Sequence, residues 1–244
     1  MAAERWYRRL IKLSPERYGP VAMSLAGQGR IQEAIAVCDE AAKTDHSLRP
    51  VMTMTGVLLS GHATAEDIDR AEPLLKKAVE PHAKDAGLLM NLGAIQVVRG
   101  NAAAAADYYR QVLKQQPDNS RAMNNLATVL AEQDDPARRR EALECIDRAI
   151  KLVGPQAPLL DTKGMILIYE QKYDEAVDLL QQATAVPRAD PRYSFHLAVA
   201  YHGLNDLDKA RAALQQARKG DLTHQILTTK DRDMLAKLQQ KLGP

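Results

Sequence analysis

The 244 residues carry 33 Lys and Arg against 31 Asp and Glu, a formal charge of +2. That near balance argues against a molecule built around phosphate neutralisation, so no nucleic-acid partner is expected. Apolar residues make up 45% and aromatic residues only 4%, which excludes wholesale disorder and favours closely packed helices rich in Ala and Leu over a β-sandwich.

Met1 to Leu13 is charged and amphipathic and lacks the apolar stretch of a secretion signal. Ala3, Tyr7, Leu10, Ile11 and Pro15 read as the second helix of a repeat whose first helix is missing. A helix over residues 1–14 is therefore expected, either as the half repeat of a longer array or as an ordinary terminal cap. Next comes Gly27-Gln28-Gly29, which sits between two helical stretches and lacks the preceding strand and following Lys of a phosphate loop. Cys38 and Cys145 lie 107 residues apart and form neither a disulfide framework nor a zinc pair; they read as small buried side chains.

From residue 15 onward one pattern recurs. Small residues stand at Ala22, Gly56, Gly93, Ala127, Gly164 and Ala198. Alanines follow at Ala34, Ala71, Ala105, Ala142, Ala176 and Ala210, spaced 37, 34, 37, 34 and 34 residues apart. Seven residues beyond each comes Ala41, Ala78, Val112, Ala149, Ala183 or Ala217. Each period holds two helical stretches around a turn. In the third, Leu88, Leu89, Leu92, Ile95 and Val98 recur at helical spacing, Gly100-Asn101 breaks the run, and a second helix passes through Ala105, Tyr109 and Val112 to Pro117. The small residues are needed where helix axes approach to about 8–10 Å, because only Gly or Ala admits so close a crossing. Three extra residues lengthen the turns before Ala71 and Ala142. After residue 220, Thr228 or Thr229 can cap a helix whose Met234, Leu235, Leu238 and Leu242 form one apolar stripe, suited to covering the last repeat.

Asn91-Leu92-Gly93, Gly100-Asn101, Pro117 and Tyr173-Asp174-Glu175-Ala176 carry a resemblance to the tetratricopeptide repeat, and the resemblance covers about residues 15 to 220. The early aromatic of the family's first helix is present only as Tyr18. The implied fold is all-α, an α-α superhelix: a right-handed solenoid of about six units over 15–48, 49–85, 86–119, 120–156, 157–190 and 191–220. A helix over 1–14 precedes it and a capping helix over 221–244 follows.

The resemblance also implies where a partner would sit. Family positions that face the groove fall on Asn91 in unit three and on Arg121, Asn124, Asn125 and Thr128 in unit four. They fall on Asp161, Met165 and Tyr169 in unit five and on Arg192, Phe195, His196 and His202 in unit six. Asn91 and Asn125 occupy equivalent places 34 residues apart, and a carboxamide can clamp a peptide bond by donating and accepting together. This is similar to the asparagine ladder of the O-linked N-acetylglucosamine transferases, shortened to two rungs because Thr162 and His196 take the next places. Alternatively, each Asn bonds a neighbouring helix. Phe195, Tyr169 and Met165 either line an apolar pocket or pack between repeats. The carboxylate clamp of chaperone-binding members is absent, since Gly19 and Met23 stand where its cations would be. Arg138 to Arg140 read as a solvated basic turn or as a contact for an acidic partner patch.

No catalytic motif emerges. His196 and His202 lie six residues apart on one helix and do not share a metal-binding face; Ser194 has no base in register. The chain is expected to be no enzyme, with no cofactor and no metal. Its expected role is a scaffold whose concave groove binds a peptide or partner helix. The alternative is a regulatory or targeting region of a larger enzyme or of a bacterial export or assembly protein. For the latter, Leu160-Asp161-Thr162 and the stretch Asp190 to Tyr201 look similar to repeat proteins of bacterial exopolysaccharide and outer-surface export systems. Self-association through exposed solenoid ends is a third expectation. No run of about 18 apolar residues is present to span a membrane. A soluble protein is expected, cytoplasmic in preference to periplasmic.

Overall fold

The computed structural model describes residues 17–222 and 227–243; the helix expected over 1–14 lies outside the described residues. Thirteen α-helices and no strand occur among the described residues. They are α1 (Tyr18–Gly27), α2 (Ile31–Ala42), α3 (Arg49–Leu58), α4 (Ala65–Val79), α5 (Ala86–Val98), α6 (Ala102–Gln115) and α7 (Ser120–Ala131). Then follow α8 (Pro136–Val153), α9 (Ala157–Tyr169), α10 (Tyr173–Thr184), α11 (Pro191–Gly203), α12 (Leu207–Lys219) and α13 (Thr229–Leu242).

Local chemistry sets most of the helix starts. Asp85, Asn101, Asn119 and Asp206 each accept a hydrogen bond from the backbone N–H three residues on. Asp135 and Asp190 cap from just before a proline, whose missing N–H costs nothing in the first turn. Thr64 and Thr228 go further and form reciprocal capping boxes with Asp67 and Asp231.

The chain divides into two compact units, Met1–Arg99 and Gly100–Pro244. In the first, α3 packs between α1 and α5, with α2 and α4 against them. In the second, α7, α9 and α11 stand side by side, each paired with the helix that follows it, and α13 lies against α11.

The periodic alanines account for this packing. Ala34, Ala71, Ala105, Ala142, Ala176 and Ala210 are all fully buried. At the small-residue crossing in α9, a Cβ placed on Gly164 would stand 2.7 Å from Leu180 Cγ of α10, and Leu180 is itself fully buried. The partner side chain therefore cannot retreat, and glycine is required there. The hairpin turns demand a left-handed residue. Gly29 and Gly100 supply it without strain, whereas Gln171 and Asn205 adopt φ near 61° despite their Cβ atoms.

Candidate partner-binding face

In the first unit, the groove register reaches Asn91 on α5. Its Nδ2 donates to Thr55 Oγ1 on α3 at 2.8 Å and lies 3.8 Å from Met52 Sδ. The carboxamide thus joins two neighbouring first helices. Thr55 is fully buried; its hydroxyl donates to the Met52 carbonyl at 2.9 Å and accepts from Asn91, so both its donor and its acceptor sides are used.

In the second unit, Asn125 on α7 hydrogen-bonds the Tyr109 hydroxyl of α6; burial pushes that phenol well above its ordinary range and the Asn125 bond partly offsets this. Both asparagines that stood in the ladder register are therefore engaged within the fold. Asn124 differs: its Oδ1 is buried and finds no hydrogen-bond partner among the described residues. Thr128 Oγ1 donates to the Asn124 carbonyl at 3.0 Å and sits 3.4 Å from Thr162 Oγ1 on α9. Arg121 is exposed. Arg192 grips Asp190 in a two-pronged pair, Nε to Oδ1 at 3.0 Å and Nη2 to Oδ2 at 2.6 Å.

Met165 and Phe195 are buried in one apolar cluster with Tyr201, Leu214, Leu238 and Leu242, and Tyr169 packs at its edge. Leu238 and Leu242 come from α13. The three residues expected either as a pocket or as packing are thus in contact with core, and part of that core is the terminal helix. His202 is half-buried; burial first, then the nearby Lys241 of α13, lowers its pKa.

The charged centre of this face is His196. Its Nδ1 lies 2.7 Å from Asp161 Oδ1 on α9, and its Nε2 lies 3.5 Å from Asp231 Oδ1 on α13. All three residues are at most 9% exposed. Burial opposes charge on the imidazole, but the carboxylates of Asp161 and Asp231 outweigh it and hold the His196 pKa up at about 10. Asp231 is in turn kept below the usual carboxylate range: burial would raise it, and His196 together with the Thr228 cap lowers it further. An imidazolium clamped between two carboxylates is chemically inert as a base. Among the described residues no group of three or more His, Cys, Asp or Glu is arranged to hold a metal ion.

Beside this centre, Lys230 reaches Asp134 at 2.7 Å and lies 5.2 Å over the Tyr169 ring. Burial raises the Glu132 carboxyl to about 7, against a hydrogen bond from Thr228 that lowers it. At Gly100, a Cβ would stand 3.6 Å from Thr229 Oγ1. The first turn of α13 therefore meets the turn that follows α7, the end of α9 and the middle of α11 together. Sequence reasoning had singled out neither Glu132 nor Asp231 as part of this face. The Thr228-x-x-Asp231 box was the one available signal, and it marks a helix start whatever the helix touches.

Repeated helical hairpins, with their first helices side by side within each unit, define a helical-repeat class of protein. The tetratricopeptide repeat profile matches residues 60–114, 95–144 and 162–221, more than half of the chain. This chain belongs to the tetratricopeptide repeat family, and its fold class is the all-α superhelical repeat. That fold generally serves as a protein–protein interaction scaffold, and its members are typically non-enzymatic.

A TPR repeat-containing protein of Pseudomonas aeruginosa, PA4667, is 28% identical over 177 residues, which cover 72% of this chain. The chain spans only 28% of that relative's length. Among solved structures, the TPR protein TTC0263 of Thermus thermophilus superposes with a TM-score of 0.64 at 20% identity, over 80% of this chain and 99% of the other. A tetratricopeptide repeat protein from Parabacteroides merdae gives 0.63 at 14% identity, over 96% and 86%. PilF of Pseudomonas aeruginosa gives 0.57 at 18% identity, over 91% and 96%. These likenesses establish the fold. Among the described residues no helix is long and apolar enough to cross a membrane.

Proposed function

We propose that this chain is a non-catalytic scaffold that binds a peptide or a partner helix along the groove formed by the first helices of its hairpins. The observation that carries the reading is α13: a helix is already seated on that face, with apolar residues in the core cluster and charged residues on Asp134 and His196. A surface that accepts one amphipathic helix has the shape and chemistry to accept another. Arg121, Asn124 and Thr128 on α7 extend the same face, with Asn124 Oδ1 still to be satisfied. Free Cys38 and Cys145 fit a reducing compartment, the cytoplasm in preference to the periplasm.

A peptide-display library selected on the full chain tests this. Selected peptides should lose affinity for a chain carrying Arg121→Glu and Thr128→Lys together, and keep it for Lys219→Glu on α12. Binding that ignores the α7 substitutions overturns the groove reading. Light scattering on the same samples reports self-association through the array ends.

A second reading is favoured by length. The match covers 72% of this chain but only 28% of the relative, which is therefore more than twice as long. The repeats therefore suit a targeting or regulatory region of a larger protein, an enzyme or a bacterial export or assembly component. An activity measured on the full-length protein, with and without these residues, separates the two.

A further inference from the structure

Helix α13 is attached unlike the others. Short turns join the two helices of each hairpin, whereas residues 220–228 separate α12 from α13. Its contacts are also unlike those of a simple cap. A cap needs an apolar stripe against the last repeat and a wet face outward, and Leu238 and Leu242 supply the stripe. The N-terminal turn adds a set of polar contacts that such a cap has no need of: Asp231 on His196, Lys230 on Asp134 and over Tyr169, Thr228 on Glu132.

Charges of both signs find opposite charges across this contact. The cation of α13 meets Asp134 and stands near Glu132, and its carboxylate meets the His196 imidazolium that Asp161 holds in place. The buried His196–Asp231 pair adds little net stability, because desolvation consumes most of the Coulombic gain, and the solvent-open Lys230–Asp134 pair adds little because water screens it. What they confer is selectivity, since a helix with these charges misplaced leaves a buried imidazolium or carboxylate without its partner.

We propose that the face formed by α7, α9 and α11 recognises a partner helix through its N-terminal turn, and that α13 holds that partner's place until displaced. The partner is an amphipathic helix with Ser or Thr at the N-cap, Lys or Arg at the second helical position and Asp or Glu at the third. Apolar residues at one-face spacing follow, as Met234, Leu235, Leu238 and Leu242 follow Asp231 here. This rests on the groove reading above and adds both the partner's chemistry and a competition built into the chain.

The test uses the full chain and, as probe, a fluorescein-labelled peptide of residues 227–243. Asp231→Arg places a cation against His196 and should release α13. Hydrogen exchange in α13 should quicken by about tenfold or more while α7, α9 and α11 keep their protection. The probe should bind the Asp231→Arg chain about tenfold or more tighter than the unsubstituted chain, whose own helix competes at high effective concentration. A probe that itself carries Asp231→Arg should bind neither. Should the Asp231→Arg chain lose its helical signal, Asp231→Asn gives the same readouts with smaller shifts. Failure of the probe to bind a chain whose α13 has been released overturns the proposal, as does unchanged exchange in α13. A dimer in which two copies exchange α13 overturns it in favour of a second copy as occupant. If library-selected peptides still bind through α7 while the probe does not, the inference alone fails; if neither binds, the groove reading fails with it.

Discussion

Equivalent positions in the two units are satisfied in different ways. On the first unit's face, Asn91 bonds Thr55 one helix away, and the pair is neutral and local. On the second, the equivalent place in the last hairpin holds His196, whose partners are Asp161 on the neighbouring first helix and Asp231 on a helix that follows the array. The first arrangement joins adjacent repeats. The second also recruits a separate segment and places charge where only a matched helix can cover it.

Removing the fixed half of the charged centre should have the largest effect. Asp161→Ala leaves the His196 imidazolium with the more distant Asp231 alone and should cost on the order of 3 kcal/mol in denaturant unfolding. Asp161→Asn, which still accepts a hydrogen bond, should recover part of that. Next in size is Gly164→Ala: with fully buried Leu180 in the way of the new methyl, overpacking should cost about 1–3 kcal/mol. A neutral effect there would mean that the crossing of α9 and α10 is softer than its geometry implies.

The seat of α13 should weaken as pH rises. The His196 pKa is raised from 6.5 to about 10 by the facing Asp161 and Asp231, so its contribution is complete below 6.5 and is lost as pH climbs toward 10. Glu132 is raised from 4.5 to about 7 by burial, with Thr228, Asp231, Lys230 and His196 around it; its contribution is lost through pH 7. Asp231, lowered, opposes this only in acid. Hydrogen exchange in α13, corrected for intrinsic rates, should therefore be slowest in mildly acidic solution and accelerate from pH 6 to 10. A flat profile would remove His196 from the seat.

Asn91→Ala sharpens the contrast from the other side. Losing the hydrogen bond to Thr55, whose hydroxyl keeps its bond to the Met52 carbonyl, should cost about 1 kcal/mol and leave exchange in α13 unchanged. The smallest effect belongs to Lys230→Ala, because Asp134 is largely open to solvent. It should show mainly as a weaker salt dependence of α13 exchange.

The periodic alanines made the repeat legible because close helix crossings admit nothing larger, a steric rule that acts within each hairpin and is written at fixed spacing. The capping Asp, Asn and Thr residues were legible for a similar reason, since a cap reaches only two or three residues along the chain. The apolar stripe of α13 could be read, but not its seat: Lys230 meets Asp134 across 96 residues, and no periodicity records such a pairing. Asn91 and Asn125 show the same limit. Their register was plain in the sequence, yet Thr55 and Tyr109 claim their carboxamides.

The sequence by itself therefore determined the all-α hairpin array and its period, through sterics and hydrogen bonds that close over a few residues. Only the tertiary structure decided which polar groups spend themselves inside the fold, and that the last helix lies across the face of α7, α9 and α11. Those outcomes depend on which distant groups share a buried, poorly screened space, where a charge must find its opposite.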